Sequence, residues 1–367
     1  MKIYTISKIC EIKKLSMKFK DSICKIFDIK YPIIQAPMFG VSTPEMTVAA
    51  ANAGCLGSLA LADLSAEKSI ELIQKTKKLT EQPFAVNIFV HQIPEITQEL
   101  KQQYLKTKKF LEKLLYENNI EASLPNLEDI KVNSYHEQVD AIIAENCKAL
   151  SFTFGNLDHQ NIQRLKENGT ILMGTCTSVE EALELENSGI DVICVQGIEA
   201  GGHRGSFVSE NIPKIGGFSL LSQVYDSVKI PLVYAGGMYN GKTLRAAQEL
   251  GAQGFQIGSL LLASKESALQ DFEKERLKKV NENEIVLTKS FSGRYARGVR
   301  NKFIETIENS EYILPYPYQN KLTGELRRIA RASKNAEFVN LWAGQSINHY
   351  SEDSTRDILE KLIEEYN

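Results

Sequence analysis

The chemistry of this chain concentrates in one run, Gln196-Gly197-Ile198-Glu199-Ala200-Gly201-Gly202-His203-Arg204-Gly205. It follows Asp191-Val192-Ile193-Cys194-Val195, a short β-branched apolar stretch that predicts a buried strand. A strand ending in glycines lets backbone amides approach a bound group, because glycine adds no side chain and tolerates positive φ. One imidazole follows, the side chain best suited to proton or anion work near neutrality. The combination predicts an active site at a strand end, with His203 facing the chemistry.

Two further turns carry the same signal. Gly236-Gly237 follows Leu232–Ala235, and Gly258-Ser259 follows Gly254–Ile257. Each leads into a helix-period segment, so backbone N–H groups and helix dipoles would face an anion such as a phosphate. Asn87 and Gln196 end otherwise apolar runs. A carboxamide both donates and accepts, which suits a heteroaromatic ring bearing carbonyls and N–H groups, such as a flavin. His91, His136, His159 and His349 have no carboxylate or histidine partner at metal spacing and are expected as surface or capping residues. No metal site is expected. The six cysteines show no C-x-x-C pair, and Cys55, Cys176 and Cys194 sit in apolar runs as small hydrophobes.

Positioning these residues requires a repeated strand–helix alternation. Short apolar runs at Ile33–Ala36, Cys55–Ala60, Phe84–Phe89, Leu150–Phe154, Ile171–Thr175, Val192–Gln196, Leu232–Ala235 and Gly254–Ile257 predict eight strands. Between them, Pro44–Ala53, Ala66–Lys78, Leu157–Asn168, Val179–Ser188 and Gly241–Leu250 carry apolar residues at helical spacing. Ser178 is placed to cap a helix, and Gly169, Gly189 and Gly251 to end one. The expected fold is an α/β protein, a (β/α)₈ TIM barrel, with its site at the carboxyl ends of the strands. Residues 1–20 are expected as an N-terminal extension in which Met17 is an alternative start. Residues 21–263 would form the barrel, with a helical insertion at about 91–148. Residues 264–367 would form a mostly helical segment over the barrel mouth.

Bulk properties narrow the function. The 367 residues are 43% hydrophobic and 24% charged, ordinary for a globular protein. A net charge of −3 gives no basic field for nucleic acid, and Lys106 to Lys113 predicts a solvated helix face. No apolar run approaches the ~20 residues that a membrane helix needs. With reduced thiols and no uninterrupted apolar leader, a cytoplasmic protein is expected, and a homo-oligomer is compatible with the chain.

In Tyr31-Pro32-Ile33-Ile34-Gln35-Ala36-Pro37-Met38, the Gln196–Gly205 run, Tyr234-Ala235-Gly236-Gly237, Gln256-Ile257-Gly258-Ser259 and Gly293-Arg294-Tyr295-Ala296-Arg297-Gly298, the chain resembles the nitronate monooxygenases. The resemblance spans about Tyr31 to Gln345. It implies an FMN-dependent barrel enzyme whose cofactor is held by Ala36, Pro37, Met38, Asn87, Gln196, Gly201, Gly202, Gly236, Gly237, Gln256, Ile257, Gly258 and Ser259. It also implies His203 as the active-site histidine, and Tyr312, Tyr316, Tyr318 and Lys321 as residues closing over substrate. The implied reaction is oxidation of a small alkyl nitronate, such as propionate 3-nitronate, with O₂ through a flavin semiquinone. Aldehyde or semialdehyde plus nitrite or nitrate would be the products. A flavin-dependent enoyl-acyl-carrier-protein reductase using NAD(P)H shares these motifs and is the alternative.

Overall fold

The computed structural model describes residues 19, 21–121, 123–209, 211–347 and 349–367. The expected N-terminal extension, Met17 and Cys10 lie almost wholly outside this range. Eleven strands occur among the described residues: β1 (Ile33–Gln35), β2 (Gly57–Ala62), β3 (Phe84–Phe89), β4 (Ala149–Thr153), β5 (Ile171–Cys176), β6 (Val192–Gln196), β7 (Gly202–His203), β8 (Leu232–Ala235), β9 (Gly254–Ile257), β10 (Ile285–Thr288) and β11 (Ala296–Val299).

Eight of them form one parallel sheet in the order β1-β9-β8-β6-β5-β4-β3-β2. A bridge between Ile34 and Leu56 closes the ring. There the Gln35 N–H donates to the Leu56 carbonyl at 2.9 Å, and the Leu56 N–H to the Ile33 carbonyl at 2.9 Å. The result is a (β/α)₈ barrel. Its strands read as continuous apolar runs because side chains are covered on both faces: β1 and β2 are buried throughout.

Local chemistry sets the limits of the helices. Ser178 accepts from the Glu181 N–H at 3.1 Å, Asp158 from the Asn161 N–H at 2.9 Å and Asn240 from the Thr243 N–H at 3.0 Å. Gly169, Gly189 and Gly251 all follow helices at positive φ. The five cysteines among the described residues are free, and burial pushes the Cys55, Cys147 and Cys194 thiols up to about 12.

A second apolar cluster lies outside the barrel core. Leu100, Tyr104, Leu111 and Leu114, from the helix Gln98–Glu117, pack with Phe291, Phe303, Leu322 and Leu326 from the C-terminal part. Lys106 and Lys113 occupy the opposite, wet face of that helix. A small antiparallel sheet, β10-β11-β7, joins the parts, pairing Ala296 with His203 and Arg297 with Gly202. No helix among the described residues is long and apolar enough to cross a membrane.

Candidate active site

A cavity of about 640 Å³ opens at the carboxyl ends of the barrel strands. Of the residues expected there, Ala36, Pro37, Met38, Asn87, Gln196, Gly201, Gly202, His203, Gly236, Gly237, Gln256, Gly258, Ser259 and Tyr316 line it. Ile257 does not. Its side chain belongs to the barrel core while its carbonyl accepts from the Ala36 N–H at 2.8 Å.

One end of the cavity is a cradle of unused amides. The backbone N–H groups of Gly236, Gly237, Gly258 and Ser259 donate to no acceptor among the described residues. Gly236 and Gly237 reach this geometry at φ +131° and +68°. The Ser259 hydroxyl accepts from the Gly344 N–H at 2.8 Å, and the Ser346 hydroxyl donates to the Gly237 carbonyl at 3.1 Å. Converging orphan amides fit a phosphate group.

The loop that bears His203 is fixed from beneath. Gln196 uses its whole carboxamide here: Nε2 donates to the His203 carbonyl at 3.0 Å, and Oε1 accepts from the Gly205 N–H at 2.9 Å. The buried Arg204 donates to the Gly197 and Gln196 carbonyls at 2.6 and 2.8 Å, and Arg297 to the Ile198 carbonyl at 2.9 Å. Desolvation lowers Arg204 to about 10, so it keeps its charge. Glu199 accepts from the Tyr234 hydroxyl and the Gly217 N–H. Asn87 donates to the Ser151 hydroxyl at 2.8 Å, leaving its Oδ1 without a donor among the described residues.

His203 Nε2 lies 2.8 Å from the Ser292 hydroxyl, which in turn lies 3.1 Å from the Arg294 carbonyl; which of the two carries the shared hydrogen follows from the imidazole tautomer. Phe154 and Trp342 pack edge-on against the ring at 5.4 and 5.5 Å. Burial first, then the Arg294 and Arg327 charges, lower its pKa from 6.5 to about 3. The resting imidazole is neutral.

Sequence reasoning missed several neighbours. Phe154 sits at φ +76°, uncommon for a non-glycine residue, and the Arg294 guanidinium lies 4.4 Å over its ring. Arg294 belongs to a quoted motif, and Trp342 is the single tryptophan, but nothing in their spacing pointed at His203. Lys321 does not line the cavity. It pairs at 2.6 Å with Asp63, which does. Tyr318 turns into the second apolar cluster and donates to the Pro94 carbonyl at 2.7 Å. Tyr312 stacks on Phe110 at 4.0 Å, also away from the cavity.

One expectation is overturned. His91 is neither a surface nor a capping residue: it is buried edge-on against Tyr316 at 4.7 Å, with both ring nitrogens unpartnered. It lies two residues past β3, where the chain packs against Tyr316 of the C-terminal segment, and burial lowers it to about 4. His136 and His349 lie in more polar settings, beside Asp158 and stacked on Tyr239 respectively. No metal-holding group of His, Cys, Asp and Glu occurs among the described residues.

A family model described as nitronate monooxygenase matches residues 20–365. A probable nitronate monooxygenase of Bacillus subtilis (strain 168) is 38% identical over 345 residues, covering 93% of this chain and 97% of that protein. One from Staphylococcus haemolyticus is 36% identical over 358 residues, covering 95% and 98%. Among solved structures, nitroalkane oxidase from Streptomyces ansochromogenes has a TM-score of 0.85 at 32% identity, covering 94% of this chain and 97% of that one. FabK from Thermotoga maritima has a TM-score of 0.74 at 26% identity, covering 95% and 96%.

Proposed function

Because the chain belongs to the nitronate monooxygenase family, we propose that it is an FMN-dependent oxidoreductase acting on small alkyl nitronates with O₂. Aldehyde or semialdehyde plus nitrite or nitrate would be the products. Bound FMN would supply the one-electron redox chemistry toward nitronate and oxygen. The orphan amides of Gly236, Gly237, Gly258 and Ser259 would receive its phosphate. Asn87 Oδ1 and the Ala36–Met38 segment would border its ring.

The observation that carries this reading is His203 in the cavity wall beside that cradle, with the Arg294 and Arg327 charges acting on its ring. An imidazole with a pKa near 3 is a weak base, poorly matched to removing a carbon proton. A nitronate arrives already ionised and needs no such step. The guanidinium charges of Arg294 and Arg327 favour an anion beside the ring, and an anion there raises the proton affinity of the imidazole. His203 then holds the nitro oxygens by a charge-assisted hydrogen bond.

Anaerobic mixing of the purified holoenzyme with propionate 3-nitronate, followed by the visible flavin spectrum, tests the assignment. Rapid change with nitronate, reversed by O₂, is the expected result. His203→Asn should lower kcat/KM for the nitronate by about 10²-fold while flavin stays bound. Unchanged turnover would remove His203 from the chemistry. Bleaching by NADPH without any response to nitronate would favour enoyl-thioester reduction instead. For that alternative, the likeness to the enoyl reductase domain of MlnA extends to the fold alone, at 13% identity.

A further inference from the structure

Directly behind the amide cradle sits a carboxylate with its own built slot. Glu199 lines the cavity, and its two oxygens are anchored separately. One accepts from the Tyr234 hydroxyl, the other from the Gly217 N–H at 3.2 Å, at the N-terminus of the helix Gly217–Ser227. Tyr234 is buried in β8. Burial, then the adjacent carboxylate, holds its phenol well above the ordinary range, so it remains a donor. Gly197 and Gly217 adopt no positive φ, yet a Cβ at either would collide with both the Tyr234 hydroxyl and Glu199 Oε1. These two glycines leave the space that the phenol–carboxylate pair fills.

The same side chain supports the first turn of the cradle. A Cβ at Gly237 would lie 3.3 Å from Glu199 Cγ, and one at Gly236 would lie 3.4 Å from Glu199 Cδ. The turn therefore rests on the Glu199 stem. The loop that carries Glu199 has little freedom of its own. Its Gly197 N–H donates to the Ala235 carbonyl at 2.9 Å, and the Glu199 carbonyl accepts from the Gln345 N–H at 3.0 Å. By charge alone, a carboxylate beside a phosphate site is unfavourable. The Arg204 and Arg297 guanidinium groups, on which the Glu199 charge acts, offset part of that repulsion. An anion kept there against its charge points to a geometric role.

We propose that the Glu199–Tyr234 pair positions the cofactor's phosphate site, holding the Gly236-Gly237 turn so that its unused amides face the cavity. Both are positioning residues, and they set how strongly the protein prefers a phosphorylated flavin over the same flavin without phosphate. This rests on the FMN reading above, and the test separates the two.

Holoenzyme is dialysed to equilibrium against mixtures of FMN and riboflavin, and the bound flavins are released and quantified. Their ratio compares the two affinities directly, so a general loss of stability or of ring contacts does not move it. Charge-assisted amide bonds predict that the wild-type protein favours FMN by about 10²-fold or more. Tyr234→Phe and Glu199→Gln should each reduce that preference by about 10-fold, because the stem loses an anchor while the cradle amides remain. Glu199→Gln also separates positioning from charge, since relief of repulsion alone would strengthen FMN binding. A preference unchanged in either variant, or raised in Glu199→Gln, overturns the proposal. Should Glu199→Gln fail to fold, Tyr234→Phe, which removes a single oxygen, decides alone. Equal retention of FMN and riboflavin by the wild-type protein would instead remove the phosphate assignment, and with it the role given to the pair.

Discussion

Two histidines of this chain illustrate how environment divides one residue type. His203 follows a double glycine, bonds to Ser292 and faces a cavity. His91 is sealed against Tyr316 with no partner for either nitrogen. Its folded pKa of about 4 lies below the ordinary 6.5, so the unfolded chain takes up the proton first as pH falls. Its contribution to stability is therefore intact above pH 6.5 and is lost progressively down to pH 4, at up to about 1.4 kcal/mol per pH unit. His91→Phe should flatten the pH dependence of urea unfolding across that window. The same variant should be as stable as wild type or more stable at pH 7, since orphaned buried nitrogens cost about 1–3 kcal/mol. An identical slope in variant and wild type would mean that His91 is not held neutral.

At the level of elements, the turns after β8 and β9 line the cavity at the barrel mouth. Gly258 has ordinary negative φ, and a Cβ there would come no closer than 3.4 Å to Ala36 Cβ and 3.7 Å to Met38 Sδ. The fold tolerates that methyl, so its cost falls on the ligand. Gly258→Ala should change stability by no more than about 0.5 kcal/mol yet weaken FMN binding to the apoprotein roughly tenfold, equivalent to about 1.4 kcal/mol. Fluorescence titration with FMN measures this, and an unaltered Kd would remove the turn from the cofactor site. β4 illustrates a second element-level effect. The apolar run predicts a strand through Phe154, but the strand stops at Thr153 because Phe154 turns to positive φ and sets its ring between His203 and Arg294.

Across the whole molecule, the site belongs to two cores at once. The barrel supplies Asn87, Gln196 and the amide cradle, whereas Ser292, Arg294, Tyr316, Arg327 and Trp342 come from the C-terminal part that packs around Phe303 and Leu322. Pairing of β7 with β11 ties His203 directly to that part. Phe303→Ala, at a fully buried position, should destabilise the protein by about 3–5 kcal/mol. Flavin release should accompany the first unfolding transition seen by circular dichroism. Retention of flavin after the second cluster has melted would show that the barrel alone holds the cofactor.

Barrel strands, helix caps and glycine turns were legible in the sequence because each depends on neighbours in the chain. Apolar runs of four to six residues, Ser178 before its helix and Gly236-Gly237 after a strand act over one turn or one pleat. The amino-acid order thus determined the fold, the glycine turns at the barrel mouth and the lone histidine at a strand end. It did not determine that His91 is buried, that Tyr318 faces the second core while Tyr316 faces the cavity, or that Arg327 lacks a carboxylate partner. Those outcomes depend on contacts between segments far apart in the chain, such as Tyr318 with Pro94 and Lys321 with Asp63. Burial and pairing are properties of the assembled cavity, so only the tertiary structure fixes which charges are compensated and which remain for a ligand.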